Sequence, residues 1–500
     1  MTSPPNPNPS PTATEAPAIH IRMYRLGVGD CFLLALPRGD GTPFHLLIDC
    51  GIHAAETDGP TRIRKVAEDI RTRTGGKLDL IVGTHEHWDH LSGFFHAADI
   101  FKTCTTGAIW CAWTEDERDA FARSLLQTRA QGVNALWGAV RRVRMAGGGD
   151  AAQWDGSLGF FGDSPGTGTH AKAAAEVLRG LAGSEAAISY LAPGGPPFES
   201  EGGEWRIFVL GPPRDRDLLN RMDPRKGSGE AYPFGAAAMA DAAMAAANLA
   251  AAVGEADDPP FASRFQIPLE YTRDDAFFGP RYWGEVDADA DAADPADQRG
   301  AGETDFEARR LDWRRLGDAW LGGAEQLALH LDKIVNNTSL VLAIEVGPKA
   351  ASDNPVLLFA ADAQIGNWLS WSAVEWPDYG GRKVTGADLV RRTVLYKVGH
   401  HASQNATLMQ GGLEAMARLR LALVPTSAKT AGKVGWGTLP WPALLTRLDT
   451  ATGGRVVRSD EGASPGATEA ADIVVRPCDF CFDITFPLVR EVGPGGEVGP

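Results

Sequence analysis

The sequence predicts an α/β protein that carries a metal site at the ends of its strands. Three observations lead there. Short apolar runs with strand character alternate with helical segments along much of the chain. A charged amphipathic helix over residues 61–72 lies between two such runs, 44–49 and 78–83, which is the strand–helix–strand unit of a parallel pair. Two of the runs end in clusters of histidine and aspartate.

A chain of 500 residues, 44% hydrophobic and 22% charged, can bury a large core. No apolar run reaches the ~18 residues of a membrane span, so no membrane association is expected. Residues 1–18 are rich in Pro, Ser, Thr and Asn, with neither a basic nor an apolar signal region, and read as a disordered tail. The 6 cysteines are too sparse for a disulfide framework, which makes the cytoplasm the expected compartment. The net charge of −16 weighs against a general nucleic-acid binder. Half of it sits in residues 285–307, where 9 acidic residues face 1 basic residue, Arg299. Nothing in the sequence specifies an oligomeric state.

The first cluster is Thr84-His85-Glu86-His87-Trp88-Asp89-His90, directly after the apolar run 78–83. If the strand pleat continues, His85 and His87 point the same way and can share one cation. Asp89 and His90 lie past the turn, free to reach a second. Imidazole and carboxylate donors suit zinc, manganese or iron better than magnesium or calcium. The second cluster follows two further strands, 336–344 and 356–360. The latter ends in Asp362, and the strand 394–399 ends in His400-His401-Ala402-Ser403. Of 11 histidines, 5 therefore fall at two strand ends, which chance would rarely arrange. A carboxylate such as Asp362 can bridge two cations at roughly 3.5–4 Å, the spacing of two-metal hydrolysis.

The His-x-His-x-Asp-His pattern resembles the metallo-β-lactamase superfamily, in which Asp49-Cys50-Gly51 matches the first motif, an aspartate that shapes the loop under the metals. Residues 336–342, 357–363 and 394–403 look like one branch of it, the domain at the end of bacterial DNA-uptake channel proteins and its stand-alone relatives. The resemblance implies an αββα sandwich, two mixed β-sheets flanked by helices, with a long insertion. Residues 19–213 and 334–490 would be its two halves. Residues 214–333 would be the insertion, containing an alanine-rich helix over 236–253, the acidic linker and a helix from Phe306. Residues 491–500 would be a flexible tail. Three departures stand out: Gly211 occupies the place of a third metal-binding histidine, and Ala361 and Ala402 replace glycines. His170 is the one nearby histidine that could substitute at the metal.

The resemblance also assigns roles. Two divalent metals, zinc first and manganese as the alternative, would be held by His85 and His87 on one side and by Asp89, His90 and His401 on the other, with Asp362 between. Asp89, His90, Asp362 and His400 would be catalytic, a metal-bound hydroxide being the nucleophile and His400 facing substrate. Ser403, Lys397 and Asn337 would bind substrate, with Arg391 and Arg392 as further phosphate contacts. The expected function is a metal-dependent hydrolase, phosphodiesterase or nuclease-like, acting on nucleic acid or a nucleotide. Alternatives are a small-molecule ester or lactone hydrolase and a catalytically degenerate binding scaffold. Cys478 and Cys481 are expected to be small hydrophobes in one alternating strand over residues 474–486. His96, Trp110 and Trp113 are expected to pack, and Trp441 to pack rather than stack on a base.

Overall fold

Alternation at period two along the strands builds the core from both sides. In a computed structural model, which describes residues 18–145, 170–221, 333–434, 436, 438–468 and 473–487, two eight-stranded sheets face each other. The first contains β1 (Ala18–Tyr24), β2 (Cys31–Leu36), β3 (Phe44–Cys50), β4 (Lys77–Val82), β5 (Thr105–Ala112) and β6 (Ile188–Leu191). The second contains β7 (Phe198–Glu199), β8 (Trp205–Gly211), β9 (Val341–Val346) and β10 (Val356–Phe359). After a separate hairpin of β11 (Glu375–Tyr379) and β12 (Arg382–Thr385), it continues with β13 (Thr393–Lys397), β14 (Leu421–Val424), β15 (Val456–Arg458) and β16 (Gly462–Ala463). The late strands β17 (Val474–Cys478) and β18 (Cys481–Pro487) return to the first sheet, whose order is β17-β18-β1-β2-β3-β4-β5-β6. The second runs β16-β15-β14-β13-β10-β9-β8-β7.

Ile19, Ile21 and Met23 of β1 and Leu46 and Ile48 of β3 meet Leu342, Ile344 and Val346 of β9 between the sheets. The alternate residues face outward. Leu47 and Ile81 pack under α1 (Gly59–Arg73) and α2 (Trp88–His96), while Val341 and Ala343 pack with Trp368 and Leu444 of the helices Ile365–Trp371 and Pro442–Thr452. The result is two mixed sheets stacked as a sandwich with helices on both outer faces, the layering expected above. β3, α1 and β4 form the parallel unit, pairing Leu46 with Leu80.

Two elements differ from expectation. Residues 336–340 are not strand: Ser339 N–H donates to the Asn336 carbonyl in a turn, and β9 starts at Val341. Residues 474–486 are not one strand but the β17–β18 hairpin, folded over at Asp479-Phe480, and Cys478 and Cys481 form a disulfide rather than packing as free thiols. From Cys478 to Phe486 the even positions stay apolar through the tight turn, which hides it. The alanine-rich helix, the acidic linker, the helix from Phe306 and both tails lie outside the described residues.

Gly211 has a local reason. A Cβ there would lie 2.0 Å from Asn367 Oδ1, which itself accepts from Trp371 Nε1. Asn367 Nδ2 donates to the carbonyls of Asn337 and Ser339. This amide fills the space that a side chain at 211 would take. Trp113 Nε1 donates to the Pro212 carbonyl and braces the same strand end.

On the far side of β9, Glu345 is buried among Arg206, Arg392 and Arg382. Arg206, Glu345 and Arg392 are each 0% exposed, so their charges have no water to turn to. Replacing Glu345 with Ala leaves Arg206 without a carboxylate and is expected to cost about 3–5 kcal/mol in urea unfolding. A loss below about 1 kcal/mol would mean the network carries little of the fold.

Candidate metal centre

The site forms where the carboxyl ends of parallel strands from both sheets come together, the edge at which open α/β sheets bind ligands. β3 delivers Asp49, and the loop after β4 delivers His85, His87, Asp89 and His90. The loop after β10 delivers Asp362, and the loop after β13 delivers His400 and His401. Leu340 N–H donates to the Thr84 carbonyl and Asp30 N–H to the Asp89 carbonyl, stitching the loops together. Gly51 is required by the closeness of this approach, since a Cβ there would lie 2.2 Å from the Asp89 carbonyl carbon.

One oxygen or nitrogen from each of Asp89, His90, Asp362 and His401 falls within 4.8 Å of the others, and all four residues are buried. His401 Nε2 is 2.9 Å from Asp89 Oδ2 and 3.4 Å from Asp362 Oδ2; His90 Nε2 is 3.1 Å from Asp362 Oδ2. The remaining ring nitrogens are fixed from behind. His90 Nδ1 donates to Asp49 Oδ2 at 2.8 Å, and His401 Nδ1 donates to the Pro425 carbonyl at 2.9 Å. Each imidazole therefore presents Nε2 to the shared point, with the outer partner that metal-binding histidines ordinarily have. Asp49 is itself anchored by Thr84, which donates to it from N–H and from Oγ1. Asp89 Oδ1, His90 Nε2 and Asp362 Oδ2 are buried without a hydrogen-bond partner among the described residues. Unsatisfied buried donors and acceptors aimed at one point fit a divalent cation, and the His/Asp donor set suits one.

Electrostatics agree with that fit. Burial alone would lower the pKa of His90, but Asp362, Asp30, Asp49 and Asp89 overcome it and raise it well above the usual imidazole range. His401 is likewise pushed up to about 9 against burial, by Asp362 and Asp89. Asp362 is held well below the usual carboxylate range, against burial, by His90, His401 and Lys397. Protons on the imidazoles here occupy the place that a cation takes by displacing them.

His85 and His87 also come together, with Nε2 of the first 3.1 Å from Nδ1 of the second. Burial lowers both, His87 to about 3, leaving neutral imidazoles. Among the described residues they join no group of three His, Cys, Asp or Glu ligands. His170 does not complete them; its ring packs against Trp88 and Phe95. His96 also packs on Trp88.

His400 is half-buried beside this centre. Asn336 Nδ2 lies 3.0 Å from its Nε2, and Ser403 Oγ lies 2.7 Å from its Nδ1, so Ser403 holds His400. Burial lowers its pKa to about 4. Lys397 and Asn337, expected to contact substrate, do not face outward. Lys397 is 1% exposed and ion-paired with Asp30 beneath the site. Asn337 spends its amide on the carbonyls of Leu219 and Arg221. Arg391 pairs with Asp388, and Arg392 is buried with Asp388 and Glu345. Trp441 donates its backbone N–H to the Ala402 carbonyl and packs on the outer core. Asp30, Thr84 and Ser339, whose Oγ accepts the Asp362 backbone N–H and lies 3.3 Å from His85 Nδ1, are the contributors to which sequence reasoning gave no role at the site. Asp30 sits in a Gly-rich turn, and its neighbourhood to Lys397 is a contact between distant segments.

Comparison of the chain with protein-family models, with curated proteins and with solved structures finds no match.

Two carboxylates flank the first histidines. Arg129 pairs with Glu86, and behind them Glu115 pairs with Arg179. Burial, aided by Glu86, raises Glu115 from 4.5 to about 7. A raised acid keeps its proton in the folded state while the unfolded chain loses it, so its contribution is full at low pH and fades as pH rises through about 7. Relative to Glu115→Gln, the parent chain should lose about 2–3 kcal/mol of stability between acidic and mildly alkaline pH. Parallel pH–stability curves for the two would refute this. At the centre itself, Asp49→Ala should weaken zinc binding by about 10–100-fold although Asp49 lies outside the Asp89, His90, Asp362 and His401 group. Calorimetric titration checks it.

Proposed function

We propose that this chain is a metal-dependent hydrolase of the metallo-β-lactamase fold, cleaving phosphodiesters of a nucleic acid or nucleotide with two divalent cations, zinc by preference. The observation that carries the reading is the convergence of Asp89, His90, Asp362 and His401, drawn from three separate strand ends, with unpartnered atoms directed at one point. A cation held by these residues would lower the pKa of a coordinated water toward neutrality and polarise a substrate oxygen. Asp89, with Oδ2 toward His401 and Oδ1 unengaged, can accept a proton from the attacking water and orient it. Asp49 and the Pro425 carbonyl keep His90 and His401 in the tautomer that leaves Nε2 to the cation. His400, oriented by Asn336 and Ser403 beside this group, would meet substrate.

Small-molecule ester or lactone hydrolysis is the second reading, and one observation favours it. Lys397, Arg391 and Arg392, the cations expected to contact phosphates, are all engaged within the protein. Salt separates the two: a nuclease loses DNA affinity steeply as ionic strength rises, whereas turnover of a small neutral ester barely responds. With bis-p-nitrophenyl phosphate and linear DNA as substrates, Asp89→Ala should reduce hydrolysis at least ~100-fold while circular dichroism stays that of the parent. Full activity in a folded Asp89→Ala protein would contradict the mechanism.

A further inference from the structure

Lys397 ends β13 and lies directly under Asp362. Its Nζ donates to the Ala361 carbonyl at 2.8 Å, lies 3.5 Å from Asp362 Oδ1 and is ion-paired with Asp30. Those three acceptors match the three hydrogens of an ammonium group. Asp362 Oδ1 also accepts the His400 N–H at 3.1 Å. Asp362 Oδ2 makes no well-aligned hydrogen bond among the described residues and faces only the His90 and His401 Nε2 atoms, 3.1 and 3.4 Å away. The two oxygens of this carboxylate therefore have different employment: Oδ1 is held by Lys397 and the backbone, and Oδ2 alone is open to the candidate cation position.

We propose that the buried Lys397–Asp30 pair is a positioning device that commits Asp362 Oδ1 to the protein, so that the two cation positions of the proposed hydrolase are unequal. This rests on the metal-dependent reading above. An unrestrained carboxylate can offer an oxygen to each of two cations. Here the open oxygen points into the Asp89, His90 and His401 group, and the His85–His87 pair gains no carboxylate from it. The four-ligand position fills first. The two-imidazole position fills second and more weakly. Because Lys397 and Asp30 carry opposite charges, the device sets the geometry of Asp362 without changing the net charge of the site.

That neutrality defines the test. The full chain, stripped by chelator, is titrated with zinc by calorimetry and with cobalt(II) by visible absorption. The parent is expected to bind in two steps separated by at least ~10-fold in affinity. The paired variant Asp30→Asn/Lys397→Met removes one charge of each sign. It should weaken the first step by about 10–100-fold, the effect of losing an outer-shell partner, and change the intensity of the cobalt spectrum as Asp362 reorients. A folded paired variant with parental affinity and spectrum overturns the proposal, because a merely structural pair would alter the melting temperature alone. So does a parent that fills both positions in one step. If the paired variant does not fold, the zinc-loaded parent structure decides: Asp362 Oδ1 bonded to zinc overturns the proposal, and Oδ2 alone bonded supports it. Absence of any zinc binding by the parent overturns the metal reading itself, which keeps the two failures distinguishable.

Discussion

Four carboxylates, Asp30, Asp49, Asp89 and Asp362, are buried around one imidazole, His90, and the structure depends on how their charge is answered. Buried anions are costly unless each has a cationic or hydrogen-bonding partner. Lys397 answers Asp30 and one oxygen of Asp362, and Thr84 with His90 answers Asp49. Asp89 and the other oxygen of Asp362 are left with His90 and His401, whose Nε2 atoms crowd the same point. One divalent cation would satisfy all four ligands at once. Without it, that task falls to protons on the imidazoles.

Backbone conformation shows the same demand. Asp49, Ala361, His400, His401 and Ala402 all have positive φ, between 37° and 62°. Each non-glycine residue in that region costs roughly 1–2 kcal/mol, and such strain gathers at functional sites. Ala361 and Ala402 are in the left-handed conformation that glycine adopts more cheaply. The contacts made there explain why it persists. The Ala361 carbonyl takes the Lys397 ammonium and the His400 backbone N–H, and the Ala402 carbonyl takes the Trp441 backbone N–H.

Much of the scaffold was legible because period-two alternation is a local property. The 44–49 and 78–83 runs match β3 and β4 within about one residue. The clustering at strand ends was legible for the same reason: His90, Asp362 and His401, brought together in the candidate centre, each follow a readable strand. What escaped was set by contacts between distant segments. Lys397 ends a strand as a phosphate-binding lysine might, yet Asp30, more than three hundred residues earlier, draws it inward. Asn337 looked available for substrate, but the carbonyls of Leu219 and Arg221 claim it. The β17–β18 turn escaped because Asp479-Phe480 interrupts neither the alternation nor the hydrophobic pattern. Gly211 was visible as a missing histidine, but the amide of Asn367 that fills its place was not.

Metal content of the chain purified without chelator tests the central claim most directly, measured beside His401→Ala. The account predicts at least one tightly held transition-metal ion per chain in the parent and its loss in a folded His401→Ala protein. A folded parent that carries no metal and takes up none from added zinc or manganese would contradict it.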